Sequence, residues 1–191
     1  MSVLKRAKKA FNWAVDPFIN LLVKLRITPN MITTSALFFA AITGYFIYSH
    51  NTVMAGVFLT ITGIIDALDG TVAKKVGSTK FGDFYDATID RLVEGFIYLM
   101  IAAANPENYI ICFIAFFLSY MTSYVAARAE VWTIGIKMKY FGFGGRAGRL
   151  TILVIALLLD KLLIGLYLIS IAAFVTIISR SIITIKVLRK K

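Results

Sequence analysis

Cysteine and histidine are almost absent from this sequence. Its 191 residues contain one of each, Cys112 and His50. One cysteine excludes a disulfide framework and a thiolate metal site, and zinc lacks the donors it usually takes. Proline occurs three times and charged residues make up only 16%. With 59% hydrophobic residues and a mean hydropathy of +0.81, the composition excludes an ordinary soluble globular domain. The first thirty residues hold neither a long apolar core nor a small-residue cleavage site, so no cleavable signal peptide is expected.

What the chain has instead is apolar runs. Ile32–Ser49, Val53–Ile65, Tyr109–Ala127 and Leu162–Ser179 each approach the roughly 20 residues that a spanning helix needs. Leu92–Ala104 and Leu150–Leu159 are shorter but extend through small or polar neighbours. The expectation is an all-α membrane protein with six transmembrane helices, preceded by an N-terminal amphipathic surface helix. No linker or repeat divides it, so residues 1–191 read as one domain. Residues 1–27 form an amphipathic juxtamembrane segment and 28–191 the six-helix core. Phe11, Trp13, Phe18 and Leu21–Leu22 would be the oily side of the leader. Thr28-Pro29-Asn30 opens the first span, since proline suits a first helical turn. Asn105-Pro106-Glu107-Asn108 and Phe141-Gly142-Phe143-Gly144-Gly145 mark later breaks. Gly44, Gly56 and Gly63 read as close helix contacts.

The net charge of +11 could point to nucleic acid, but its distribution excludes that partner. With the N-terminus inside, the outer loops hold one basic residue, Lys161, against twenty inside. That is the positive-inside pattern of a cell-membrane protein with both termini cytoplasmic, and it offers anionic lipid a basic surface.

Acidic residues number ten, and six of them lie between 66 and 94. Asp66 and Asp69 are spaced i,i+3 and Asp86 and Asp90 i,i+4, so each pair projects from one helical face. The two pairs are expected at one depth, near the cytoplasmic ends of adjacent antiparallel helices. A central Asp costs roughly 2.5–3.5 kcal/mol in a membrane, and four carboxylates also repel one another. Two divalent cations would cancel that charge, and oxygen-only ligation points to Mg²⁺ or Mn²⁺. Such a site suits a diphosphate substrate. Gly70, Gly82 and Ala73 keep the adjoining faces small, while Lys74 and Lys80 can meet phosphate.

The order Asp66-x2-Asp69-Gly70-x2-Ala73-Lys74, then Gly82-x3-Asp86-x3-Asp90, resembles the signature of the CDP-alcohol phosphatidyltransferases. Lys74 stands where that family usually has arginine, and the stretch up to Gly82 is one residue shorter than its usual length. The resemblance implies transfer of a lipid-phosphate group from a CDP-lipid to a small alcohol, with release of CMP. It implies metal bound by Asp66, Asp69, Asp86 and Asp90, with Asp90 also the base for the acceptor hydroxyl. It places Asp66, Asp69, Gly70, Ala73, Lys74 and Gly82 at the CDP moiety, and it implies a homodimer. Glu94, outside the signature and one turn beyond Asp90, could tune it, but the expectation is a solvated neighbour in the cavity. Ser123 to Glu130 and Arg146-Ala147-Gly148-Arg149-Leu150 resemble the branch that uses inositol phosphate, although Gly148 stands where that branch usually has an acidic residue. Arg128, Arg146 and Arg149 could build the cationic pocket that a phosphorylated polyol needs. Lys137 and Lys139 are weaker members. Glycerol 3-phosphate or serine are the alternative acceptors.

Two other classes compete. A cation- or proton-coupled transporter predicts carboxylates spread through the membrane depth, and here they are confined to one level. An intramembrane prenyltransferase would need two separate acidic motifs, and one is present.

Overall fold

Helix starts in this chain are written locally. Thr28, Asn51 and Thr79 each accept a hydrogen bond through their side chain from the backbone amide three residues on, at Met31, Met54 and Gly82. These caps satisfy amide donors that the first helical turn cannot. The computed structural model describes residues 16–133, 138 and 142–189. Among them no strand occurs, and the helices are α1 (residues 16–24), α2 (Pro29–Tyr48), α3 (Thr52–Val76), α4 (Lys80–Ala104), α5 (Tyr109–Trp132), α6 (Arg146–Leu158) and α7 (Leu162–Leu188). A short 3-10 turn, Pro106–Asn108, joins α4 to α5. The turn after α2 reverses on His50 and the turn after α6 on Asp160, both at positive φ. At each, the following amide reaches back across the turn, Asn51 to the Phe46 carbonyl and Lys161 to the Ala156 carbonyl. This is the left-handed C-terminal motif that ends a helix sharply.

Helices α2 to α7 close into a ring in which each packs on two neighbours, in the order α2, α3, α6, α7, α5, α4 and back to α2. Small side chains allow the close contacts. Ala36, Ala40 and Gly44 form one stripe on α2, and Gly44 faces Phe96 and Met100 of α4. Gly56 and Gly63 face Leu158 and Leu150 of α6. Small residues at helix interfaces replace the hydrophobic drive that is missing between helices in lipid. The aspartate-bearing helices α3 and α4, expected side by side, instead both pack on α2 and face each other across the ring. The reason is that their facing side chains are the acidic ones, so the small stripe of α2 takes the close packing.

Outward faces are as apolar as the interior. Phe38, Phe113, Phe117, Leu168, Ile171 and Phe174 are all more than half exposed or close to it, the pattern of an integral membrane protein. Helices α2, α3, α5 and α7 are long and apolar enough to cross a membrane. The other two differ. Helix α4 has 25 residues but carries Asp83, Asp86, Asp90, Arg91 and Glu94 between its start and residue 94, and α6 has 13 residues, a rise of about 20 Å. Of the leader, residues 1–15 with Phe11 and Trp13 lie outside the described residues, as do Lys137 and Lys139. In α1, Ile19 enters the core at 1% exposure with Leu22 and Val23 beside it, while Phe18 and Leu21 face outward.

The α6–α7 contact is the tightest test of this packing, because a Cβ on Gly165 would stand 2.4 Å from the Ala156 Cβ. Gly165→Ala should destabilise the protein by about 1–3 kcal/mol through overpacking. The check is a lower melting temperature in detergent.

Candidate metal centre and its arginine

The i,i+3 pair on α3 and the i,i+4 pair on α4 point across the ring at one level. Carboxylate oxygens of Asp66, Asp69 and Asp86 lie within 4.8 Å of one another. Helix α2 supports them from behind: the Thr33 hydroxyl lies 2.7 Å from Asp69 Oδ2 and 3.0 Å from the Pro29 carbonyl. Tyr85 on α4 and Thr34 on α2 share a hydrogen bond of 2.8 Å at the same level. Asp69 and Asp90 are buried, at 4% and 8% exposure.

Three carboxylates this close repel by roughly 3 kcal/mol per pair at an effective dielectric of about 20. Two arginines lie at the cluster: Arg91 stands 3.9 Å from Asp90 Oδ2 on its own helix, and Arg146 makes the closer contacts. Arg146, the first residue of α6, donates from Nη1 to Asp66 Oδ1 at 2.5 Å and places Nη2 2.7 Å from Asp90 Oδ1. Asp69 and Asp86 receive no such partner, and Asp86 Oδ1 is buried without a hydrogen bond. An all-oxygen donor set with an orphaned carboxylate oxygen fits a hard divalent cation. Cys112 is buried on α5 with its thiol on the Tyr98 carbonyl, and His50 sits in the turn after α2, both away from this cluster.

The other sequence candidates divide. A Cβ on Gly70 would meet nothing within 4 Å, so the chain beside Asp69 is open to a ligand. Ala73 is half-buried and Lys74 exposed on the same helix. Gly82 has a local task, since its amide is the one that Thr79 caps. Arg128 is exposed at the end of α5, where it lines a groove with Trp132, Ser181 and Thr184, and it forms no ion pair with the aspartates among the described residues. Arg149 is 1% exposed and all three of its nitrogens have protein acceptors, on Glu94 and the Gly144 carbonyl.

Glu94 corrects an expectation. It is not a solvated neighbour: its side chain is 12% exposed and ion-paired with Arg149 and Arg91. Sequence reasoning also passed over Thr33, which carried no signal beyond its place on α2. Arg180 was passed over too, although a lone arginine so near the end of a long apolar run was a visible cue. It is 4% exposed, donates to the Thr122 carbonyl at 2.8 Å and lies beside Gly145.

Comparison with known proteins agrees with this geometry. A family model described as CDP-alcohol phosphatidyltransferase matches residues 26–185. The chain is 36% identical over 160 residues to the archaetidylinositol phosphate synthase of Pyrococcus horikoshii, covering 83% of this chain and 84% of that protein. The fold is similar to that of Mycobacterium tuberculosis phosphatidylinositol phosphate synthase crystallised with CDP-DAG bound. The TM-score is 0.77 at 23% identity, covering 88% of this chain and 92% of the other. A second structure of that protein, in complex with manganese and citrate, also gives a TM-score of 0.77 at 23% identity and covers 88% of this chain and 87% of the other.

Removing one carboxylate should cost the cluster its cation. Asp69→Asn is expected to weaken Mn²⁺ binding at least about tenfold, since each lost charge-assisted ligand is worth on the order of 1.5–3 kcal/mol. Asp83→Asn, which removes an exposed aspartate in the first turn of α4, should leave it within about twofold. Titration of Mn²⁺ followed by electron paramagnetic resonance separates the two.

Proposed function

The chain belongs to the CDP-alcohol phosphatidyltransferase family, and from that membership we propose that it transfers a lipid-phosphate group from a CDP-activated lipid to inositol 1-phosphate, releasing CMP. The observation that carries the choice of acceptor is Arg146. A guanidinium placed between Asp66 and Asp90 offers a fork for an acceptor that already bears a phosphate. A neutral alcohol such as serine's hydroxyl arm or free inositol has no need of it. The names of the relatives in archaea and mycobacteria support the same acceptor.

Bound divalent metal, two Mg²⁺ or Mn²⁺ ions held by Asp66, Asp69, Asp86 and Asp90, would supply the positive charge that a diphosphate and a departing CMP require. The chain's own residues do the rest. Thr33 holds the Asp69 carboxylate in one orientation. Gly70 and Ala73 leave room for the CDP moiety along α3, Gly82 closes it from α4, and Lys74 brings charge from the exposed side. Arg146 binds the acceptor's phosphate and so sets its hydroxyl beside Asp90. Asp90 takes the hydroxyl proton as the oxygen attacks the phosphorus that bears the lipid. A new oxygen–phosphorus bond forms, the bond to the bridging diphosphate oxygen breaks, and CMP leaves with that oxygen. Arg128, on the exposed end of α5, adds positive potential to the approach of an anionic acceptor.

We also propose six spans, α2 to α7, with the site and both termini on the cytoplasmic side of the cell membrane. The charge bias of the loops supports this orientation, and the acidic half of α4 is accommodated because it faces the site rather than lipid. The protein is proposed to be a homodimer, as the family resemblance implies.

The test is CMP release by purified protein given CDP-lipid and Mg²⁺, with inositol 1-phosphate, glycerol 3-phosphate, serine and free inositol compared. Release with inositol 1-phosphate alone is expected. Release with glycerol 3-phosphate instead would keep the phosphate-binding role of Arg146 and replace the acceptor; release only with serine or inositol would remove both. Asp90→Asn should lower turnover about a hundredfold or more, the usual contribution of a general base.

A further inference from the structure

Glu94 lies one turn beyond Asp90 on α4, outside the acidic signature, yet it is the most heavily engaged carboxylate among the described residues. Arg149 grips it in a two-pronged contact, Nε to Oε1 at 2.8 Å and Nη2 to Oε2 at 2.9 Å. The third nitrogen, Nη1, donates to the Gly144 carbonyl at 2.6 Å. The Gly144 amide in turn donates to Thr176 Oγ1 of α7 at 2.8 Å. A Cβ at Gly144 would stand 2.2 Å from the Ala172 carbonyl oxygen, so the turn is pressed directly on the α7 backbone. On the other side Arg91 lies 3.5 Å from Glu94 and donates to Ser123 of α5 at 2.6 Å. One carboxylate thus ties α4 to the start of α6, and through it to α7 and α5.

What stands at the start of α6 is Arg146. It is three residues from Arg149, so both side chains leave the same face of the helix, one turn apart. A small cavity of about 30 Å³, bordered by Thr62, Glu94, Arg146 and Arg149, leaves the Arg146 guanidinium room to shift. Packing alone constrains α6 mainly through Leu153 and Leu157, one to two turns deeper in the bundle. A buried ion pair contributes little net stability, but its two-pronged geometry restricts orientation strongly.

We propose that Glu94 and Arg149 are a positioning pair that sets Arg146 against the phosphate of the acceptor, Arg149 acting through Arg146 rather than on the acceptor itself. This rests on the reading of Arg146 as the acceptor's phosphate ligand. The pair fixes where the turn at 142–145 ends and where the first residue of α6 points, and so how far the guanidinium sits from Asp90.

Steady-state kinetics of Glu94→Gln separate this role from a merely structural one. Loss of the charge on Glu94 should raise KM for the phosphorylated acceptor tenfold or more, with KM for CDP-lipid unchanged within twofold. Glu94→Asp, which keeps the carboxylate on a shorter arm, should recover part of that rise. Arg149→Lys, which keeps the charge and loses the fork, should raise acceptor KM in the same direction; it is the variant to use if Glu94→Gln does not elute as wild type does. A fall in kcat with both KM values unchanged, or a parallel rise of both, would overturn the proposal and make the pair a structural tie only. That result would leave wild-type use of phosphorylated acceptors standing. Wild type that turns over only phosphate-free alcohols would overturn the reading of Arg146 and the positioning role together.

Discussion

Like charges crowded at one depth are the constraint on which this protein is built. Three carboxylates within 4.8 Å of each other cannot be held by hydrophobic packing alone, because each must be kept from turning toward water or accepting a proton. The fold answers with a hydroxyl donor from behind and a guanidinium in front, with Arg91 beside Asp90 on α4. Thr33 reaches Asp69 from α2, and Arg146 reaches Asp66 and Asp90 from α6. The elements that meet at the site are therefore four, although the acidic residues come from only two. That is why the ring closes as it does, with α2 between the acidic helices and α6 pressed against α3.

The partition of polar groups follows from this. Arginines of α6 are divided between two tasks by a single helical turn. Arg146 touches the aspartates, whereas Arg149 is absorbed by Glu94 and the turn carbonyl. In a low-dielectric interior each such pair is expensive to break and confers direction more than stability. Polar contacts among the helices thus determine orientation, while the small stripe on α2 and the apolar side chains between helices supply cohesion.

How much of this was legible in the sequence depends on distance along the chain. Local features were readable: the i,i+3 and i,i+4 aspartate spacings, the helix start at Pro29, the turn at Asn105–Asn108 and the close contacts at Gly44, Gly56 and Gly63. The acidic signature pointed to the family, and the match over residues 26–185 agrees. What could not be read was pairing across the chain. Glu94 meets Arg149 over 55 residues and Asp66 meets Arg146 over 80, and nothing in the local pattern says which cation answers which carboxylate. Two arginines three residues apart look equivalent in a string of letters; only the neighbouring helices distinguish them. The ring order escaped for the same reason, since consecutive helices were assumed to be spatial neighbours and α3 and α4 face each other instead.

Helix α6 is short, and its neighbour is not. Gly144 is bonded to Thr176, twelve residues before α7 ends at Leu188, a recess of about 18 Å along the axis. The aspartates of α3 are likewise set back from Val76. The floor of the site is therefore sunk beneath the rim formed by the longer helices. The site is a well sunk among the helices, and the shortness of a single helix sets how deep that well is.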